Sequence, residues 1–167
     1  FISEKQYKKL LSYFRKNSKL LIDDIQETIY YDCPQDLRIQ KNKYFSKIWL
    51  KKGKIHDDSR EEIEIHMDIE DFDKLKSLFK ELGYGIDIKW LRERKEFKWN
   101  NINVCLDYSK GYGYIIELEV MGKEDEKESV LKMLREKFKD LSVKETSKEE
   151  FNKAYEEYKK NWKRLLK

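Results

Sequence analysis

Apolar side chains recur along the chain with two different periods, and the period separates predicted helices from predicted strands. Tyr7, Leu10 and Phe14 lie three or four residues apart, as on one face of a helix. Ser3 and Gln6 open this segment in the pattern of a capping box, which predicts a helix from about 4 to 16. The same spacing predicts three further helices, at 71–82, 124–138 and 147–165.

The remaining apolar segments are short, rich in β-branched and aromatic residues, and separated by turn signals such as Asn100-Asn101 and Lys110-Gly111. They predict strands at 20–32, 37–40, 45–52, 60–67, 86–98, 102–108 and 112–121, with a polar break at 53–59. Steps of hairpin size indicate antiparallel pairing. We therefore predict an α+β fold, in which a curled or closed antiparallel sheet carries the helices on its outside.

The composition indicates a folded protein without an obvious polymeric partner. Charged residues make up 42% of the 167 residues, but the net charge is only +4 and aromatic residues recur regularly, which argues against disorder. Opposite charges are mixed along the chain, so sequence-specific nucleic-acid binding is not indicated. We expect no membrane span and no signal peptide, because no apolar stretch approaches the ~20 residues that a span needs. Cys33 and Cys105 are interpreted as reduced thiols of a cytoplasmic protein.

Several predicted strands carry charged side chains at alternate positions. Residues i and i+2 of a strand share a face, so Glu117 and Glu119 lie together, as do Arg92 and Arg94. Each pair alone is typical of a solvated face. Together, arginines and carboxylates on several strands fit a divalent cation with several phosphates, since Mg²⁺ and Mn²⁺ favour oxygen ligands and arginine binds phosphate bidentately.

Seven motifs follow one another along the chain: QETIYYD at 26–32, LRIQ at 37–40, LKKG at 50–53, REEIE at 60–64, RERKEF at 92–97, CLD at 105–107 and GYGYIIELE at 111–119. Their order resembles that of the CYTH, or triphosphate tunnel, superfamily over roughly residues 1 to 121. The resemblance implies a closed or nearly closed antiparallel barrel of about eight strands, which forms a tunnel. It implies a tunnel domain at 1–145 with a C-terminal helix at 146–167 packed on it.

The resemblance also implies the residues of a site for a triphosphate and Mg²⁺ or Mn²⁺. The implied phosphate-binding residues are Arg38, Lys52, Arg60, Arg92 and Arg94. The implied acidic residues are Glu62, Glu64, Glu117, Glu119 and Asp107, with Glu117 and Glu119 as the better metal ligands and Glu64 as a third candidate. No catalytic base is assigned.

Two departures from the family pattern affect these expectations. The Glu-x-Glu-x-Lys strand that begins family members is absent, and Phe1-Ile2-Ser3 resembles the residues that follow it, so we expect the sequence to be truncated. If that strand is missing, the barrel is open and lacks metal ligands and a phosphate lysine. Gln40 stands where the family usually has a second arginine, which lowers the positive charge near one phosphate.

Three functions follow from the resemblance. The leading hypothesis is a divalent-metal-dependent phosphohydrolase that acts on inorganic triphosphate or on a small compound bearing one. The alternatives are an adenylyl cyclase that makes cyclic AMP from ATP, and a module that binds polyphosphate or nucleotide without turnover. A homodimer is left open. His56 and His66 are interpreted as surface residues, and Trp49, Trp90 and Trp99 as barrel wall or core.

Overall fold

A computed structural model describes residues 1–53 and 60–167, apart from the side chain of Glu124. Nearly all of the predicted polar break, residues 54–59 with His56, therefore lies outside the described residues. No helix in the two described ranges is both long and apolar enough to cross a membrane.

The predicted helices and strands are confirmed, and no strand end differs from its predicted position by more than two residues. The strands are β1 (Lys19–Tyr31), β2 (Asp36–Lys41), β3 (Ser46–Lys51), β4 (Glu62–Met67), β5 (Ile86–Trp99), β6 (Ile102–Ser109) and β7 (Gly113–Glu119). The helices are α1 (Glu4–Asn17), α2 (Asp71–Glu81), α3 (Lys127–Asp140) and α4 (Lys148–Leu165), with a 3-10 turn at Glu124–Glu126 before α3. The α+β class is thus confirmed.

The described strands form one antiparallel sheet in the order β4-β3-β2-β1-β5-β6-β7. Its two edges, β4 and β7, are not hydrogen-bonded to each other in the part of the chain that is described. An isolated bridge joins Ile2 to Tyr114 beside β7. A hydrogen-bonded barrel of eight strands is therefore not confirmed: hydrogen bonds join seven strands into an open sheet.

One face of the sheet is apolar and is covered by three helices. Phe14 of α1 packs with Phe97, Val104 and Leu106 of β5 and β6, and α3 adds partly buried residues to this cluster. Burying each such side chain contributes about 1.5–3 kcal/mol relative to exposing it. On the other half of the sheet, α2 covers β1, β2 and β3 through Phe72, Leu75 and Phe79 (these three residues are buried). The prediction that helices pack outside the sheet is borne out for α1, α2 and α3.

Helix α4 packs on the opposite face of the sheet. The Tyr158 ring stacks on the indole of Trp90 with 4.0 Å between ring centroids and 10° between planes. The Tyr158 hydroxyl donates to the Lys89 carbonyl oxygen at 2.8 Å, and the Trp162 Nε1–H donates to the Asp87 carbonyl oxygen at 2.9 Å. Tyr155, Tyr158 and Trp162 thus form an aromatic stripe along α4 that packs against the sheet. The domain boundary at residue 145 stays a prediction.

Candidate functional site

Charged and polar side chains occupy the face of the sheet opposite α1, α2 and α3, and we call this the polar face. The cross-strand register places its members opposite one another: Gln40 faces Thr28, and Arg94 faces Asp107. The members that form the candidate site are Asp36, Arg38, Gln40, Trp49, Lys51, Glu62, Glu64, Trp90, Arg92, Arg94, Asp107, Glu117 and Glu119. The polar face thus carries arginines and carboxylates together on one surface of the sheet.

Asp36 holds two arginines at one side of the polar face. The Nε and Nη2 atoms of Arg38 both donate to its carboxylate at 2.6 Å, and Arg60 Nη2 donates to it at 2.6 Å. Burial alone would raise the pKa of Asp36, but hydrogen bonds and charge from the two arginines outweigh it and lower that pKa. The Arg38 guanidinium also lies 4.0 Å from the ring centroid of Tyr30. This aspartate therefore fixes the direction of both arginines, and the sequence analysis did not single it out.

Asp107 holds a second pair of arginines on β5. Arg94 donates to its two carboxylate oxygens at 2.9 and 2.7 Å, and Arg92 Nη1 donates at 3.1 Å. Arg94 also donates to Glu117 at 2.8 Å. Asp107 is only 1% exposed. Burial would raise its pKa, but attraction from Arg94 and Arg92 dominates and lowers that pKa.

Glu117 and Glu119 lie two residues apart on the edge strand β7. Desolvation raises the pKa of Glu119, and repulsion from Glu117 adds to the rise, although part of the Glu119 side chain remains open to solvent. A cation between two such carboxylates relieves their repulsion. In the described ranges no group of three or more His, Cys, Asp or Glu residues is arranged to hold a metal ion. The pair therefore fits a partial site, completed by phosphate oxygens, which is how Mg²⁺ is commonly bound.

An electrostatic effect between distant strands indicates that the polar face is curled. The positive charge of Lys51 on β3 acts on the Glu119 carboxyl of β7 and partly offsets the rise in its pKa. These strands are five places apart in the sheet order. In a flat sheet they would be separated by about 24 Å, at which distance such an effect vanishes. The curl therefore makes the polar face concave.

The structure directs the Lys52 side chain away from the predicted phosphate-binding arginines, although its backbone carbonyl oxygen accepts from Arg60 Nε at 3.0 Å. Strand β3 ends at Lys51, and Lys52 extends to solvent, where its Nζ contacts Glu61 at 2.8 Å. Lys51 instead faces the same way as Trp49, pairs with Asp36 in the register and bonds to Glu62. Alternation counted from Arg38 and its partner Trp49 puts Lys47 and Lys51 on the polar face and leaves Lys52 off it.

We expect Lys51→Ala to weaken tripolyphosphate binding about tenfold, because it removes a cation from the polar face. Lys52→Ala is the matched control and should change the dissociation constant by less than about twofold, since its ion pair with Glu61 is exposed. Isothermal titration calorimetry of both variants decides the matter. If Lys52→Ala weakened binding more than Lys51→Ala, Lys52 would be the phosphate-binding lysine.

The acidic residues of β4 are paired with lysines of β3. Glu64 accepts from Lys47 Nζ at 2.8 Å and also contacts His66, and Glu62 contacts Lys51. Burial would raise the pKa of Glu64, but these hydrogen bonds lower it. In the described ranges the ion-pair partners of Glu64 are thus basic groups near the β4 edge, and its role as a metal ligand stays a prediction.

Gln40 is buried and satisfied by neutral neighbours. Its Nε2 donates to Gln26 Oε1 at 3.2 Å and to Thr28 Oγ1 at 3.0 Å. A second arginine at this position would need a carboxylate partner that Gln26 and Thr28 do not provide. The surrounding residues are therefore adapted to the neutral side chain.

Comparison with known proteins agrees with this architecture. The CYTH domain profile matches residues 1–151. A protein from Methanocaldococcus jannaschii and one from Vibrio parahaemolyticus, each named "putative adenylate cyclase", are among the similar proteins. The first is 29% identical over 135 residues, which cover 75% of this chain and 77% of that protein. The second, a solved structure, has a TM-score of 0.67 at 16% identity and covers 90% of this chain and 91% of its own.

A further solved structure, of a conserved hypothetical protein from Pyrococcus furiosus, has a TM-score of 0.75 at 23% identity. The match covers 86% of this chain and 88% of that one. At such identities, the structural likenesses establish a shared fold and do not extend to a substrate.

Proposed function

The chain belongs to the CYTH domain family, and from that premise we propose that it is a divalent-metal-dependent phosphohydrolase acting on inorganic triphosphate or on an organic triphosphate. One observation carries the proposal: four arginines are directed onto one concave face by two aspartates, Asp36 and Asp107. Polyphosphate is the ligand class that needs several arginine forks at once.

The arginines bind the phosphate chain and stabilise the negative charge that develops as a phosphoryl group is transferred. Their carboxylate partners fix the guanidinium groups before the ligand arrives, so little reorganisation is needed during the reaction. Arg38 and Arg60 form one pair, and Arg92 and Arg94 form the other. Both Arg38 and Arg92 act electrostatically on the Tyr30 hydroxyl, which places Tyr30 near both pairs.

Glu117 and Glu119 are the residues that would hold Mg²⁺ or Mn²⁺, with phosphate oxygens as further ligands. When bound, such an ion supplies neutralisation of phosphate charge and a position for the attacking water. Glu117 also accepts a hydrogen bond from Arg94, which ties the carboxylate pair to the second arginine pair. No residue is assigned as the base.

Glu119→Gln should abolish most of the metal-dependent turnover and leave the fold intact. Substitutions around metal ligands commonly cost 10–100-fold, so we expect kcat/KM for tripolyphosphate to fall by about 100-fold. Removal of the repulsion between Glu117 and Glu119 should leave thermal stability unchanged or slightly higher. Phosphate release assays across Mg²⁺ and Mn²⁺ concentrations test this, and turnover equal to wild type would exclude Glu119 as a ligand.

Adenylyl cyclase activity is the second candidate, favoured by the name of the relative from Methanocaldococcus jannaschii. A cyclase must also hold a purine and orient the ribose 3′-hydroxyl. The aromatic residues Tyr30 and Trp90 on the polar face are already packed in the cluster with α4. They are therefore not free to stack on a base, and this favours the hydrolase.

Product analysis separates these functions. Tripolyphosphate and ATP are incubated separately with the protein and Mg²⁺ or Mn²⁺, and the products are resolved by chromatography. Phosphate released from tripolyphosphate supports the proposal, whereas cyclic AMP from ATP establishes the cyclase. Binding without any product identifies a polyphosphate-binding module, and absence of binding refutes all three.

We also propose that the protein acts in the cytoplasm. Both Cys33 and Cys105 are free thiols. Cys105 is buried on the polar face, and burial raises its pKa, so it remains a neutral thiol. Free thiols are typical of reducing compartments.

A further inference from the structure

Three buried N–H donors on the polar face have no acceptor among the described residues. They are Trp49 Nε1, Trp90 Nε1 and Arg92 Nε. Trp49 is 5% exposed and Trp90 is 7% exposed, so solvent does not compensate them freely. Buried donors in folded proteins are almost always paired, so an unpaired, or orphan, donor indicates strain, an ordered water or a bound ligand.

The orphan indoles are confined to the polar face. The chain has four tryptophans, and Trp162 donates its N–H to the Asp87 carbonyl oxygen at 2.9 Å. Trp99 packs against the apolar-face cluster. Two other orphan atoms differ in kind: the Tyr31 hydroxyl belongs to the α2 cluster, and Asp24 Oδ2 is an acceptor whose partner oxygen already accepts from Ile25 N–H.

Both indoles are held by their ring faces, which leaves their edges as the polar surface. Lys47 Nζ lies 4.4 Å from the Trp49 ring centroid, and the Arg38 guanidinium lies 5.7 Å from it. Tyr158 stacks on Trp90 at 4.0 Å. The Nε1–H group lies in the plane of the indole, so neither kind of face contact can satisfy it.

The two indoles also flank the two arginine pairs. Trp49 lies directly opposite Arg38 in the register, and Trp90 lies two residues before Arg92 on the same strand face, about 6.5 Å along it. A ligand that reaches both arginine pairs therefore passes beside both indoles. The orphan donors on the polar face require acceptors in the ligand. Asp24 Oδ2 is an orphan acceptor on the same face, opposite Arg94 in the register, and would require a donor or a cation of its own.

We propose that Trp49 and Trp90 bind the ligand directly, by donating their indole N–H groups to non-bridging phosphate oxygens of a fully ionised polyphosphate chain. This inference rests on the proposed function, because it takes the polar face as the polyphosphate site. The indoles supply neutral donors where Gln40 leaves the site with less positive charge. They therefore recognise the phosphate oxygens of the ligand as hydrogen-bond acceptors, in addition to the negative charge that the arginines recognise.

Trp49→Phe and Trp90→Phe test the proposal, since phenylalanine keeps an aromatic ring and removes the donor. Each variant should weaken inorganic tripolyphosphate binding about tenfold, the contribution of one hydrogen bond to a charged group. Without ligand, each variant loses some buried ring volume but no hydrogen bond, so each should lose less thermal stability than a tryptophan variant that loses both. Trp162→Phe is the matched control: it should lose stability and keep the wild-type dissociation constant.

Salt provides a readout that a structural role would not move. A neutral donor is not screened by ions, so the fold-change for Trp49→Phe should be the same at low and high ionic strength, whereas the Lys51→Ala effect should shrink. If Trp49→Phe loses stability as Trp162→Phe does, or if both polar-face variants bind within twofold of wild type, the inference is overturned.

The wild-type protein gives an independent measurement by NMR. With ¹⁵N-labelled tryptophan, two of the four indole N–H signals should move downfield when tripolyphosphate is added, and the Trp162 signal should not move. If tripolyphosphate binds but neither polar-face indole responds, this inference fails and the proposed function survives. If wild type does not bind tripolyphosphate at all, the proposed function itself fails.

Discussion

Asp107→Asn should lower the free energy of unfolding by about 3 kcal/mol, the low end of the cost of breaking a buried ion pair. The Asp107 carboxylate is 1% exposed and neutralises both Arg92 and Arg94. Asparagine keeps the shape but not the charge, so two guanidinium groups remain, and among the described residues Glu117 is the one other carboxylate bonded to Arg94. Urea unfolding of both proteins at neutral pH measures the difference.

The control for this prediction is Asp73→Asn, which removes a carboxylate whose ion pair with Lys76 is exposed. Exposed pairs contribute little, so the urea midpoint should not change. If Asp107→Asn is as stable as this control, Asp107 does not hold the arginines in solution.

The same carboxylate gives a pH dependence with a defined sign. The pKa of Asp107 is lowered in the folded protein, because attraction from the arginines outweighs burial. Its contribution to stability is therefore fully present above the unfolded pKa of about 3.9 and is lost as the pH falls through the folded value. The stability difference between wild type and Asp107→Asn should thus be largest at neutral pH and shrink under strongly acidic conditions.

Arg92→Gln should weaken tripolyphosphate binding by about 30- to 100-fold and change stability little. Truncating a buried, hydrogen-bonded charge at a binding site costs upward of 2 kcal/mol, and each 1.4 kcal/mol is a factor of ten. Arg94 keeps its two bonds to Asp107, so that carboxylate remains paired when Arg92 is removed. Of the arginines in the site, Arg92 therefore best separates ligand binding from folding.

Arg135→Gln removes the same charge from an exposed position on α3, where Arg135 pairs with Glu145. Titration calorimetry with tripolyphosphate should show wild-type affinity for this control. If both variants bind tripolyphosphate as tightly as wild type, the phosphate chain lies elsewhere. If both are weakened by a similar factor, the effect is one of net charge and not of the Arg92 site.

Strand alternation predicts much of the site, because it depends only on local geometry. Arg92 and Arg94 share a face, as do Glu117 and Glu119, and the register brings Arg94 to Asp107. Alternation does not reveal at which residue a strand ends. The family motif contains two adjacent lysines, and the resemblance implies the second, Lys52. The register instead puts the first, Lys51, on the polar face.

Long-range packing is the part that sequence patterns do not predict here. The aromatic stripe of α4 indicates burial but not the face of the sheet that it covers, which is decided by the stacking of Tyr158 on Trp90. Asp36 likewise looks like a turn residue beside Pro34 in the sequence. Its role emerges only when β2 and the segment before β4 bring Arg38 and Arg60 to the same carboxylate. Closure of the sheet into a barrel also depends on whether its edge strands pair with each other, and the spacing of apolar residues does not specify that pairing.

The stacking of Tyr158 on Trp90 has a consequence for the order of events on the ribosome. Tyr158 also bonds to Lys89, a residue made 69 positions earlier. At synthesis rates of about 5–20 residues per second, β5, which ends at Trp99, is completed roughly 3 to 12 seconds before Tyr158 is translated. While α4 is still in the exit tunnel, the Trp90 indole of the nascent chain is therefore not covered by Tyr158. The polar face is complete only after α4 has been translated and has packed on it.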